Sequence, residues 1–231
     1  MKLIEKIILL PVFSLLAANS YGLEFSGYEW IIKNQTSLAG PGPNYFSADT
    51  IIPDKNQQNI TLSVKQIEQK WYSSELFSTD LFSYGEFSLT FSIPLKLDSQ
   101  LVFGFFLYNE RFPPYYNEVD FEIAEWGNPV NNNCQFSIQP YQTQGNSFTF
   151  NTEENLIEYK IVVNWQKNSV RFNLYDKEGL EKSSWIYNGE NIPKRSRSRV
   201  HMNLWSFQGQ NPLGNGSLKV KIHNFKYIES K

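Results

Sequence analysis

Polar and apolar residues alternate with a period of two along most of this chain, and no stretch keeps apolar residues at helical spacing for long. Gly85, Phe87, Leu89, Phe91 and Ile93 alternate with Tyr84, Glu86, Ser88, Thr90 and Ser92, the pattern of a strand with one face in a core. Ile60, Leu62 and Val64 repeat it over a shorter length. Residues 101–108 are almost wholly apolar and predict a strand covered on both faces. Further strands are predicted over 118–126, 134–139, 157–165, 170–175, 199–207 and 218–227. In the last of these the apolar phase shifts between Ile222 and Phe225, which places a bulge near His223 and Asn224. Gln166-Lys167-Asn168 reads as a hairpin connection, and the Gly- and Pro-rich stretches 39–44 and 112–115 read as turns. With no repeat, low-complexity tract or linker, the expectation is one all-β domain over 23–231, a two-sheet antiparallel β-sandwich.

The first 22 residues stand apart. Lys2 and Lys6 precede an apolar run over 7–18, and small residues follow in Ala17-Ala18-Asn19-Ser20-Tyr21-Gly22. A basic start, a short apolar centre and small residues at the end make up a secretory signal peptide, and the run is too short for an ordinary membrane span. Cleavage after Ser20 or after Gly22 fits equally. The expectation is an exported protein, secreted or periplasmic, with no membrane span.

Composition narrows the chemistry. The 231 residues are 41% hydrophobic, enough for a large core. Lys and Arg number 21 against 23 Asp and Glu, so the net charge is −2, which argues against a nucleic-acid or anionic-membrane surface. A single Cys excludes a disulfide framework and any Cys-based metal cluster, and two His residues, His201 and His223, are too few for a multi-histidine metal centre. An aromatic share of 16% suits sheets packed face to face and a surface that stacks on planar or sugar ligands.

The stretch Glu118-Val119-Asp120-Phe121-Glu122-Ile123 carries the candidate chemistry. On a strand Val119, Phe121 and Ile123 face the core, which leaves Glu118, Asp120 and Glu122 together on the other face. Like charges so placed raise one another's cost of ionising. Coupled carboxylates with separated pKa values can supply one ionised nucleophile and one protonated acid, as a retaining glycosidase needs. Taken alone, the alternation also describes a solvated outer strand with acidic residues facing water.

Glu118-Val119-Asp120-Phe121-Glu122 resembles the E-x-D-x-E signature of family 16 glycoside hydrolases, the laminarinase and lichenase type of β-glucanase. Arg199-Val200-His201-Met202-Asn203-Leu204-Trp205 resembles their strand ending in N-L-W. Asn164-Trp165-Gln166 with Ser169-Val170-Arg171-Phe172 is similar to their hairpin after the catalytic region. Trp71 to Glu75, Tyr84 to Phe87 and Gly104 to Tyr108 follow in the family's order, so the resemblance runs from about Tyr28 to Tyr227. It implies a jelly roll with the sugar cleft on a concave sheet, Glu118 as nucleophile, Glu122 as general acid/base and Asp120 as the assisting residue.

The resemblance and strand parity together imply a substrate-binding set of Asn44, Tyr108, Tyr116, Trp126, Gln135, Gln139, Asn203 and Trp205. For Trp205 and Tyr116 the alternative is ordinary aromatic packing. Cys134 reads as a buried small hydrophobe, and His201 as either a tuner of the acid/base or a satisfied structural histidine. Three departures stand out: Phe77 replaces an arginine that several relatives use for sugar contact, Ser73 replaces a disulfide Cys, and Asn224 replaces an acidic calcium ligand. No cofactor or catalytic metal is expected, and a structural calcium is expected to be missing or weakened. The leading reading is a monomeric endo-β-glycosidase with a polysaccharide substrate. A transglycosylase on the same fold, a lectin-like binding module and a structural envelope protein are the alternatives.

Overall fold

Eighteen strands account for most of the computed structural model, which describes residues 21–94, 96–109, 117–152, 158–194 and 197–230. Nearly all of the signal-peptide segment lies outside these residues, as do Tyr116, the 112–115 turn and Ile157. In chain order the strands are β1 (Tyr21–Phe25), β2 (Tyr28–Ile32), β3 (Gln35–Ala39), β4 (Asn44–Phe46), β5 (Ile51–Pro53), β6 (Ile60–Ser63), β7 (Lys65–Ile67), β8 (Lys70–Ser78) and β9 (Gly85–Ser92). There follow β10 (Leu101–Tyr108), β11 (Glu118–Ala124), β12 (Cys134–Ile138), β13 (Ser147–Phe150), β14 (Glu158–Trp165), β15 (Val170–Asp176), β16 (Glu181–Tyr187), β17 (Arg199–Ser206) and β18 (Lys219–Glu229).

They form two sheets face to face, the expected sandwich. The larger has the order β1-β2-β8-β17-β10-β11-β12-β13, with β4 and β7 pairing on β8 and β3 on β4. The smaller has the order β16-β15-β14-β9-β18-β6-β5. These strands pair antiparallel, apart from the short parallel contact of β4 with β8, and an isolated parallel bridge joins Leu97 to Ser217.

Alternation decides what each strand gives to the core. Phe87, Leu89 and Phe91 of β9 meet Phe103 and Phe105 of β10, Phe121 of β11 and Phe136 of β12 between the sheets, all of them buried. Phe91 lies 4.9 Å from Phe103 and 5.9 Å from Phe121, and Phe136 lies 4.9 Å from Phe172 of β15. Each such ring contributes about 1.5–3 kcal/mol by burial alone, so strand β11 is pinned from below by Val119, Phe121 and Ile123. Odd positions of β10 enter the core, while its outer face is covered only at Val102, which packs with Ala124 and Trp205; Gly104 and the half-buried Phe106 and Tyr108 line a groove there.

The bulge falls where the phase shift predicted it, between Ile222 and Asn224 on β18. It turns His223 onto Asn59 Oδ1 (2.7 Å) and Ser92 Oγ (2.9 Å). Asn224 Oδ1 accepts from Ser26 Oγ at 3.3 Å, and Ser26 Oγ also accepts from the Phe225 amide. A neutral amide already engaged in this way does not fit the part of an acidic calcium ligand. Among the described residues no three His, Cys, Asp or Glu side chains cluster as a metal site needs. Cys134 is buried in the core, where desolvation pushes its thiol up to about 12, so it is an inert hydrophobe.

Candidate active site

The groove on the outer face of the larger sheet has a volume of about 720 Å³ and crosses β2, β8, β17, β10 and β11. Strand register arranges its floor in rows. Asn203 of β17 pairs with Glu75 of β8 and with Gly104 of β10, Gly104 pairs with Glu122 of β11, and Glu122 with Gln135 of β12. The next row runs Phe77, His201, Phe106, Asp120, Ser137, and the one after it Arg199, Tyr108, Glu118. Parity along β11 therefore places Glu118, Asp120 and Glu122 in three successive rows of one floor, and all three line the groove.

Their protonation follows from their surroundings. Burial holds Glu118 well above the ordinary carboxyl range, and the charges of Asp120 and Glu122 and a hydrogen bond with Asp120 push it the same way. Burial lifts Asp120 from 3.8 to about 6, opposed by hydrogen bonds from Gln139 Nε2 (2.9 Å) and Ser137 Oγ (3.0 Å) and by its bond with Glu118. Glu122 is raised well above its ordinary value by burial and then by the charge of Asp120. Gln135 Nε2 approaches Glu122 Oε2 at 3.4 Å. The three carboxyls thus hold protons at pH values where exposed ones would be ionised. The hydrogen bond between Glu118 and Asp120 works in opposite directions on the two, raising Glu118 and lowering Asp120, so the pair titrates as a unit.

A second buried carboxylate shares the cleft. Glu75 is 5% exposed, with Oε2 on Lys33 Nζ at 2.7 Å and Oε1 on His201 Nδ1 at 3.0 Å. Burial works to raise it, but the His201 hydrogen bond and the charges of His201 and Lys33 outweigh that, and Glu75 sits below its ordinary range.

The family model for glycosyl hydrolases family 16 matches residues 44–223. The chain belongs to this family. Its fold is shared by solved structures of other members. The Bacillus licheniformis β-glucanase superposes with a TM-score of 0.64 at 18% identity, over 93% of this chain and all of that one. A Bacteroides ovatus family 16 enzyme from a mixed-linkage glucan utilisation locus, solved with the product G4G4G3G, gives 0.66 at 14% identity over 86% and 94%. Rv0315 of Mycobacterium tuberculosis, titled a pseudo β-1,3-glucanase, gives 0.62 at 15% over 87% and 91%. A search of curated proteins found no match.

Against this family 16 frame the residues singled out in the sequence fall into distinct groups. Tyr108, Asn203 and Trp205 line the groove with the trio. Asn203 has its Oδ1 buried and unpartnered, and it lies over Gly104, where an added Cβ would come within 2.6 Å of that oxygen. Glycine at 104 is what lets the Asn203 amide lie across β10 towards Glu122. Gln135 and Gln139 lie on the cleft face as parity requires; the Gln139 amide holds Asp120, and the Gln135 amide stands 3.4 Å from Glu122.

Asn44 has a different part from the one expected. It is buried, with Nδ2 donating to Pro41 O and Ser206 O, both at 2.9 Å, and Oδ1 accepting from Ser73 Oγ at 3.1 Å. Its amide is spent on fastening the 40–44 loop to the end of β17, and Ser73, where relatives have a disulfide Cys, is part of that fastening. Trp126 is not carried there by strand parity, because β11 ends at Ala124 and Trp126 turns through a left-handed backbone (φ 54°). It packs edge-on against Phe207 (5.5 Å, 74°) in a cluster with Val102, Ala124 and Trp205 beyond the Glu122 row. Tyr116 lies outside the described residues.

Sequence reasoning passed over Ser137, Glu75, Lys33 and Phe106. Ser137 carried a usable signal, since it shares the parity of Gln135 and Gln139. Glu75 carried none, because β8 reads Lys-Trp-Tyr-Ser-Ser-Glu-Leu-Phe-Ser and gives no hint that three successive polar residues are buried.

Proposed function

We propose that this family 16 chain is an exported, monomeric retaining endo-β-glycosidase that hydrolyses a β-glucan-type polysaccharide. The observation that carries the reading is the trio on β11: Glu118, Asp120 and Glu122 line one cleft floor in three successive rows, with Ser137 and Gln139 donating to Asp120 between the two glutamates, and burial raises all three. A binding surface gains nothing from that repulsion, whereas double displacement uses it.

In the first step the Glu118 carboxylate attacks the anomeric carbon. The glycosidic C–O bond breaks, and Glu122 gives its proton to the departing oxygen. The second step returns the balance. Glu122, now ionised, takes a proton from water, whose oxygen attacks the anomeric carbon and releases Glu118 as carboxylate. A sugar hydroxyl in place of that water would give a transglycosylase. Asn203 and Tyr108 border the reacting sugar, and Trp205 with its aromatic neighbours walls the Glu122 end. Export is supported by the leader pattern, and cleavage after Ser20 keeps β1 whole, since Tyr21 and Gly22 pair with Ile32 and Ile31.

The test is product formation by the mature protein on laminarin, mixed-linkage glucan, xyloglucan, agar and carrageenan. New reducing ends from laminarin or mixed-linkage glucan are expected. Tight binding to one polysaccharide with turnover of none would mean a sugar-binding module on this fold.

A further inference from the structure

His201 stands on the cleft face of β17 between two rings. Phe77 of β8 and Phe106 of β10 are its register partners, and both stack on the imidazole, with centroids at 5.3 and 4.7 Å and planes inclined by 24°. Tyr108 meets it edge-on at 5.8 Å. One edge of the imidazole is fixed, because Nδ1 sits 3.0 Å from Glu75 Oε1, and the other Glu75 oxygen is taken by Lys33. An ionised carboxylate only accepts, so the proton of that bond belongs to Nδ1.

The other edge is not paired. His201 is 5% exposed, it lines the groove, and its Nε2 is buried without a hydrogen-bond partner. A slot walled by two phenylalanines could hold an apolar side chain with no such desolvation cost. A histidine kept only for packing has no use for a buried carboxylate that orients it. Asn203 Oδ1, also buried and unpartnered, lies in the adjacent row of the same floor. Two buried polar atoms without partners, on one cleft face beside ring edges, suit a ligand that alternates hydroxyls with apolar C–H faces.

We propose that His201 is a substrate-binding residue of this cleft: Nε2 hydrogen-bonds a sugar hydroxyl, the rings of Phe77 and Phe106 floor the same subsite, and Glu75 positions the imidazole. The proposal rests on the reading of the groove as a glycan site. It also gives a physical sense to Phe77, since an arginine at that position would remove one wall of the ring stack that fixes the imidazole.

The test separates the two ring nitrogens. In His201→Asn the amide occupies the place of Nδ1 and keeps the Glu75 bond, with nothing at Nε2. In His201→Gln the amide reaches the place of Nε2. Both are made in the turnover-silenced Glu118→Gln protein and titrated calorimetrically with laminaritetraose and with a mixed-linkage glucan tetrasaccharide. We expect His201→Asn to weaken binding about tenfold and His201→Gln to recover most of it. In the active protein His201→Asn should raise KM by a similar factor and leave kcat within about twofold. Binding by His201→Asn within twofold of its parent, or equal losses in both variants, overturns the proposal.

A measurement without variants stands beside it. In the ¹⁵N-histidine-labelled natural protein the His201 Nε2 resonance should move on adding tetrasaccharide, while His223, bonded on the other sheet to Asn59 and Ser92, stays in place. An unmoved His201 under saturating saccharide overturns the proposal, as does the absence of saturable binding to either tetrasaccharide. Saccharide binding that moves His201, without turnover of any polysaccharide, would retain this inference and defeat the catalytic reading. Turnover with His201 unmoved would do the reverse.

Discussion

Glu118→Gln is expected to leave the fold unchanged and to lower glucan turnover on the order of 10⁴-fold. The side chain is nearly isosteric, its Cα is held in the β10–β11–β12 ladder, and the core face of β11 is untouched. The amide also keeps an N–H to donate to Asp120, so the local geometry survives. What is lost is the electron pair that attacks the anomeric carbon, because an amide oxygen cannot form the glycosyl ester. The split between function and fold is the informative part. At about pH 4.5, where the buried Glu118 is still protonated, turnover should collapse while the melting temperature and oligosaccharide binding stay close to those of the natural protein. Binding lost together with turnover, at unchanged stability, would mean that Glu118 is a sugar-holding group instead.

Glu122→Gln is expected to raise thermal stability at alkaline pH while abolishing turnover. A carboxyl whose pKa is higher folded than unfolded favours the native state while protonated and opposes it once ionised. The contribution is therefore complete below about pH 4. For Asp120 it is lost as pH rises through about 6, and for Glu118 and Glu122, held well above their ordinary values, the loss also comes with rising pH. For Asp120, the move from 3.8 to about 6 corresponds to roughly 3 kcal/mol withdrawn across that window. Neutralising Glu122 removes its own penalty and one source of repulsion. The variant should melt roughly 5 °C above the natural protein at about pH 8, with the difference shrinking towards pH 4. Glu75 has the opposite sign: its lowered pKa stabilises the fold above its ordinary range and is lost on acidification, so it cannot produce this pattern. A Glu122→Gln protein no more stable at pH 8 than the natural one would contradict the burial-driven assignment.

The sandwich and its central strands were legible because their alternation is written in strongly apolar residues. Residues 85–93 and 101–108 had to be strands, and the bulge at His223 showed as a broken phase. Several strands escaped notice. β1, β2, β4 and β5 are no longer than five residues, and β3, β7, β13 and β16 are little-buried pieces with at most two or three apolar residues on a face. β8 buries Ser73, Ser74 and Glu75, whose partners, Asn44, Ser63, Lys33 and His201, come from four distant segments. Parity on β11 put Glu118, Asp120 and Glu122 on one face, but the same alternation describes a solvated outer strand, and the resemblance of the flanking motifs to family 16 was needed to read them as a site. What parity could not supply is where each amide ends: Gln139 turns onto Asp120, Asn44 turns into the loop it anchors, and Glu75 becomes part of the site only once β8 and β17 are side by side.

The central claim is double displacement through Glu118 with Glu122 as acid and base. Its most direct test is proton NMR of the first product released from laminarin or mixed-linkage glucan, recorded before mutarotation. The account predicts that the new reducing end appears as the β-anomer and only later equilibrates with the α-anomer. An α-anomer appearing first would mean single displacement by water and would contradict the role given to Glu118.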